Sequence, residues 1–139
     1  MIGNIAAGLY GTGVAPVTSS YENIATVTVG SGGSSSIDFT SISSTYKHLQ
    51  IRYIARSTRA ATDTQVNMRF NGATSGYSAH ILYGDGGGAY ASAYTSQSFI
   101  NMNDIPAANA GSNIFNAAVV DVLDYGSTSK YKTVRSLIG

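Results

Sequence analysis

Cysteine and tryptophan are absent from the 139 residues, only two residues are proline, and 11% are charged. The lack of cysteine excludes a disulfide framework and any thiolate metal site. A domain of this length buries roughly 70% of its unfolded surface, so a core can form without such staples. Charge is well below the usual figure of about 25%, and Ser, Thr, Gly, Asn and Ala take its place. A weakly charged, hydroxyl-rich surface repels its neighbours little, which suits an assembly subunit better than a concentrated free monomer. No Lys or Arg precedes Lys47, and the net charge is +1. That balance supplies no drive toward nucleic acid or an anionic membrane, and the scattered cations read as solvated faces.

Long apolar runs are also lacking. The opening MIGNIAAGLYGTGVAP is small and apolar but broken by glycine. It has no basic n-region and no continuous h-region, so it does not read as a secretory signal. It is also too short for a membrane span of about 20 apolar residues. Residues 1–20 therefore read as an extended arm whose Ile2, Ile5, Leu9 and Tyr10 need another surface to cover them, either as a frayed terminus or docked on a neighbouring subunit.

From Tyr21 onward the patterning has period two, which defines a β domain over 21–139. Ala25, Val27 and Val29 oppose Ile24, Thr26 and Thr28, and Ile37 and Phe39 alternate with Asp38 and Thr40 after the SGGSSS loop. Leu49, Ile51, Tyr53 and Ala55 form an apolar face opposite His48, Gln50, Arg52 and Arg56, interrupted by Ile54. Val66, Met68 and Phe70 alternate with Gln65, Asn67, Arg69 and Asn71, and the Asn71-Gly72 pair that follows is a strong turn signal. Tyr77, Ala79, Ile81 and Tyr83 give another strand.

GDGGGAYASAYTSQ reads as a surface loop, Phe99 to Met102 as a short strand, and Pro106 with AANAGSN as a second long connection. Ile114 to Asp124 competes between helix and strand, and its valines favour strand. Tyr131 to Ile138 is the last alternating run. SLIG ends the sequence inside a strand-like pattern, so its edge is expected to be covered by another chain or by further polypeptide. Some eight short strands with two long loops predict an all-β fold, an antiparallel β-sandwich of jelly-roll type carrying an extended N-terminal arm. An up-and-down barrel is the alternative.

No catalytic, cofactor or metal site stands out. His48 and His80 have no third histidine or cysteine to complete a zinc set, and no G-x-S-x-G elbow is present. The glycine-rich loops lack the Lys-Ser/Thr of a P-loop, and Asp85 has no Asp-x-Asp-x-Asp spacing around it. The one enrichment is tyrosine, with ten residues. Tyr83, Tyr90 and Tyr94 flank or lie within the glycine-rich segment, a setting for contact with a saccharide, a receptor or a neighbouring subunit.

The stretch YENIATVTVGSGGSSSIDFTSISSTYKHLQIRYIAR, Tyr21 to Arg56, resembles a family of small β-rich virion proteins of tailed bacteriophages, of the tail-fibre and capsid-decoration type. The resemblance implies a non-enzymatic structural protein of the virion, made in the host cytoplasm and located on the tail or the capsid surface. It implies other virion proteins and copies of itself as partners, as a trimer, with a host surface glycan or receptor as the target of an adhesin. Sequences of that family commonly continue past the position of Gly139 with further strands. A tail-associated fibre subunit anchored by its arm is the leading expectation, a capsid decoration (cement) protein the second, and a glycan-binding β-sandwich the third.

Overall fold

The computed structural model describes residues 21–139. Ile2, Ile5, Leu9 and Tyr10 lie outside these residues. The chain divides into two units at Ile42/Ser43.

In the first unit, described from Tyr21, no helix or strand forms. The two strands expected around 24–29 and 37–40 are therefore corrected to irregular chain. Alternation favours an extended backbone, but a strand also requires a partner for its N–H and C=O groups. Local bonds prevail instead. Gly33 N donates to Gly30 O at 3.0 Å, and Ser34 Oγ donates to Ser36 O at 2.5 Å. Ile24, Val27, Val29, Ile37 and Phe39 all remain exposed.

The second unit holds seven strands: β1 (Leu49–Ala55), β2 (Asp63–Met68), β3 (Tyr77–Gly84), β4 (Ala89–Gln97), β5 (Ile100–Pro106), β6 (Asn116–Leu123) and β7 (Thr133–Ile138). The described residues are all-β, and every ladder among them is antiparallel. Its pairing is nested. The inner hairpin β3-β4 lies within β2-β5, which lies within β1-β6, and β7 then adds to the outer side of β6. The run from Ile114 to Asp124 thus forms a strand over Asn116–Leu123 and no helix.

The run expected to be one loop from Gly84 to Gln97 is also corrected, because Ala89–Gln97 forms β4 and only the tip remains a turn. Between β2 and β3, Asn71 and Gly72 take positive φ values of 49° and 71°, and Ala73 N closes the turn on Phe70 O at 2.9 Å. The turn is the one the sequence signals. It does not join paired strands, since β2 pairs with β5 and β3 with β4.

Burial follows register. In β6, Ala118, Val120 and Val122 are buried. Opposite them lie Tyr53, Ile51 and Leu49 of β1 and Ile138, Ser136 and Val134 of β7. Met102, Ile105 and Ala107, in and just after β5, are the other buried apolar residues among those described. A bulge sits in β5 between the pairs Gln65/Asp104 and Asn67/Asn101. Asn103 carries it at φ 74°, with its N–H donated to Asn101 Oδ1 at 2.8 Å.

Two loop contacts hold the ends of the outer ladder. Asp124 N donates to His48 Nδ1 at 3.1 Å, which gives that histidine a structural role. Tyr125 N donates to Lys47 O at 2.8 Å. Gly126 packs so closely that a Cβ there would lie 2.6 Å from Ser44 O. That neighbour is backbone and cannot rotate away. Gly126→Ala is therefore expected to destabilise the domain by about 1–3 kcal/mol, the usual range for overpacking. A thermal melt reads this as a Tm lowered by several degrees, and an unchanged Tm would show that the 43–47 loop yields freely.

Candidate recognition face

The β3-β4 hairpin gathers the three tyrosines that the sequence singled out. Its register places Tyr83 directly opposite Tyr90 and Ala79 opposite Tyr94. Since side chains alternate between faces, Tyr83, Tyr90 and Tyr94 all project from one face, together with Ile81 and Ser92. Tyr83 and Tyr90 stack with centroids 5.2 Å apart and planes inclined by 26°. Tyr94 lies four residues along β4 from Tyr90, about 13 Å away at strand rise. All three rings are partly exposed, between 39% and 44%. No Lys or Arg occurs from Tyr77 to Gln97, and Asp85 is the only carboxylate there.

The tip is built around that carboxylate. Asp85 Oδ1 accepts hydrogen bonds from Gly87 N at 2.9 Å and Gly88 N at 3.0 Å, while Gly86 takes φ 85°. The Tyr90 side chain lies beside this turn and adds a smaller stabilisation of the Asp85 carboxylate. Its ring folds over Gly88, where a Cβ would meet the phenol oxygen at 3.1 Å. A fixed tip thus holds the Tyr83-Tyr90 stack in place, where the sequence suggested a loose glycine loop.

The Gly87 amide, then the Gly88 amide, stabilise the ionised form of Asp85 and hold its pKa below the ordinary carboxylate value. A depressed folded-state pKa means that the carboxylate stabilises the tip above the unfolded value, about 3.9, and that this contribution is lost as pH falls through the folded value. Titrating the Gly87 and Gly88 amide resonances by NMR is expected to give a midpoint below about 3.9. A midpoint at or above it would contradict this account of the turn.

Elsewhere, several chemistry-bearing side chains are engaged in structure. On the outer face of the β1-β6-β7 sheet, Asp121 accepts from Gln50 Nε2 at 2.8 Å and pairs with Arg135 at 2.9 Å. Those two bonds, Gln50 first, hold its pKa down. Arg52 Nε donates to Gln50 Oε1 at 2.6 Å. The Tyr53 hydroxyl is enclosed, and burial raises its pKa. Among the described residues, no three His, Cys, Asp or Glu side chains gather as a metal-binding group, and no helix is long and apolar enough to cross a membrane.

Arg56 is the residue that reading by composition misplaced. Instead of a solvated cation, its guanidinium is a clamp. It donates to Gly111 O at 2.6 Å, Ile114 O and Ala110 O at 3.1 Å, and Ala108 O at 3.4 Å. It ties down the long connection between β5 and β6. Comparison with protein families, curated proteins and solved structures gives no match.

Proposed function

We propose that this chain is a non-enzymatic structural module of a bacteriophage virion, a tail-associated fibre or adhesin subunit that completes its apolar burial by association with other virion proteins and with copies of itself. One observation carries the assembly part of this reading. Among the described residues the largest fully buried side chains are valines, whereas Ile54, Leu82, Tyr131 and Leu137 are each at least 77% exposed. Ile54 and Leu137 share one face of the β1-β6-β7 sheet, and apolar patches on a monomer mark interaction sites. The virion assignment rests on the resemblance of Tyr21 to Arg56.

The nested order of the ladders supports a jelly-roll sandwich as the finished architecture. A long antiparallel ribbon, folded across its middle, is how such a fold pairs its strands. The alternative location, as a decoration protein on the capsid, uses the same surfaces to clasp coat subunits. Copy number separates the two. Quantitative mass spectrometry of purified particles is expected to give tens of copies or fewer for a tail protein, whereas hundreds would move the module to the head and absence from the particle would end the virion reading.

A second reading, binding of a host-surface glycan, is favoured by the cation-free tyrosine face. Aromatic rings and hydroxyls without cations suit a neutral saccharide better than a phosphate-bearing ligand. Tyr94→Ala is the informative change, because Tyr94 stands apart from the Tyr83-Tyr90 stack that closes the hairpin. Loss of glycan-array binding or host adsorption with an unchanged Tm supports this role, and unaltered binding by both Tyr94→Ala and Tyr83→Ala rules it out.

A further inference from the structure

The β1-β6-β7 sheet ends, among the described residues, at β7. Gly139 and Ala117 exchange both backbone hydrogen bonds, at 2.9 and 3.1 Å. This pair fixes the phase of the ladder. In an antiparallel pair such hydrogen-bonded positions recur every second residue, so Leu137, Arg135 and Thr133 turn their N–H and C=O groups toward β6. The corresponding groups of Val134, Ser136 and Ile138 therefore point to the other side, along the sheet edge. A row of this kind is a template for another strand.

Beside that edge lies an apolar patch on the outer face. Ile54 faces Ala117 across β1-β6, and Val119 faces Leu137 across β6-β7. Ile54 and Leu137 are each 77% exposed, and Val119 is 39% exposed. The patch runs across all three strands and reaches the edge at Leu137.

We infer that β7 pairs antiparallel with β7 of a second copy about a two-fold axis at Ser136, joining two three-stranded sheets into one of six strands. Register and charge select this arrangement. With Ser136 opposite its own counterpart, Val134 lies opposite Ile138, and the edge groups of all three residues are used. Shifting the axis to Arg135 leaves Ile138 without a partner and sets two guanidinium groups directly opposite each other, which is destabilising across strands.

In the selected register Leu137 of one copy packs beside the Arg135 stem of the other. The head of that arginine is already held by Asp121 at 2.9 Å. The two Leu137 side chains flank the axis as diagonal neighbours, about 7–8 Å apart at the backbone and within reach of each other. The two patches thereby become continuous. This contact is isologous, the usual kind in closed two-fold dimers, and it is independent of the virion and glycan readings.

The absence of native cysteine gives the test a clean background. In the proposed dimer the Cα atoms of the two Ser136 residues lie about 5.5 Å apart, within the range that a disulfide spans. Ser136→Cys is expected to form a covalent dimer under mild oxidation. Leu137→Cys is not, because its counterpart is displaced by two residues along the edge. Light scattering of the unmodified chain should give twice the monomer mass.

Ser136→Pro should restore the monomer mass with an unchanged far-UV spectrum. It removes an edge donor and leaves the β6 ladder intact. A monomer at every concentration, an oligomer that persists in Ser136→Pro, or cross-linking through Leu137→Cys in place of Ser136→Cys would each overturn the inference.

Discussion

Val120→Asp is expected to destabilise the folded domain severely, while the adjacent Val119→Asp leaves it nearly unchanged. The two residues share a strand and a side-chain type but face opposite ways. Val120 is fully buried in the central strand, between Ile51 and Ser136. An unpaired carboxylate there has no cation to meet. Breaking the charge balance of a buried site costs about 3–5 kcal/mol, a large part of the roughly 5–15 kcal/mol that holds a domain of this kind together. Val119 is 39% exposed and stands opposite Arg52. A carboxylate at 119 meets water and a guanidinium, so its effect should stay below about 1 kcal/mol. Urea denaturation of both variants decides the matter. Equal midpoints would mean that the register of β6 is wrong by one residue.

Arg56→Ala carries the second large effect, about 2–3 kcal/mol, because charge-assisted bonds to backbone carbonyls are among the stronger ones and several are lost together. The carbonyls of Ala108, Ala110, Gly111 and Ile114 converge on one planar guanidinium. Lysine cannot reproduce that fork, so Arg56→Lys should recover less than half of the loss. Thermal melts give the magnitude, and amide chemical shifts show where it falls. Changes centred on residues 108–114 are expected. A full rescue by lysine would reduce the clamp to simple charge.

Strand identity was legible in the sequence wherever a partner came to meet the alternating face. Leu49–Ala55, Asp63–Met68, Tyr77–Gly84 and Thr133–Ile138 all carry that signature. Two departures show its limits. The segments around 24–29 and 37–40 alternate just as well, yet they lack a ladder, because alternation specifies which way side chains point and not who receives the backbone bonds. Conversely, AYASAYTSQ hides its period behind alanine and serine, residues too small to signal a face. It becomes β4 because β3 lies beside it.

The tyrosines were legible as residues but not as a cluster. The opposition of Tyr83 and Tyr90 depends on a hairpin whose second strand has no apolar alternation, and on the Asp85 turn that sets its register. Arg56 was the harder case. Nothing in a list of charges distinguishes a guanidinium in water from one held by four carbonyls that lie more than fifty residues downstream.

The nested ladders also dictate an order of events in time. The pairs Tyr83:Tyr90, Gln65:Asp104 and Leu49:Val122 enclose successively longer stretches of chain. Closing a loop costs more entropy as the loop lengthens, and each inner pair shortens the loop left for the next. The expected route is a zipper that starts at the tyrosine tip and ends with β1 on β6, slow in the manner of topologies dominated by distant pairings. Substitutions at the tip should then retard folding, while those in the outer ladder should chiefly hasten unfolding. The exposed rings at the hairpin would be the first part of the molecule to take its final form.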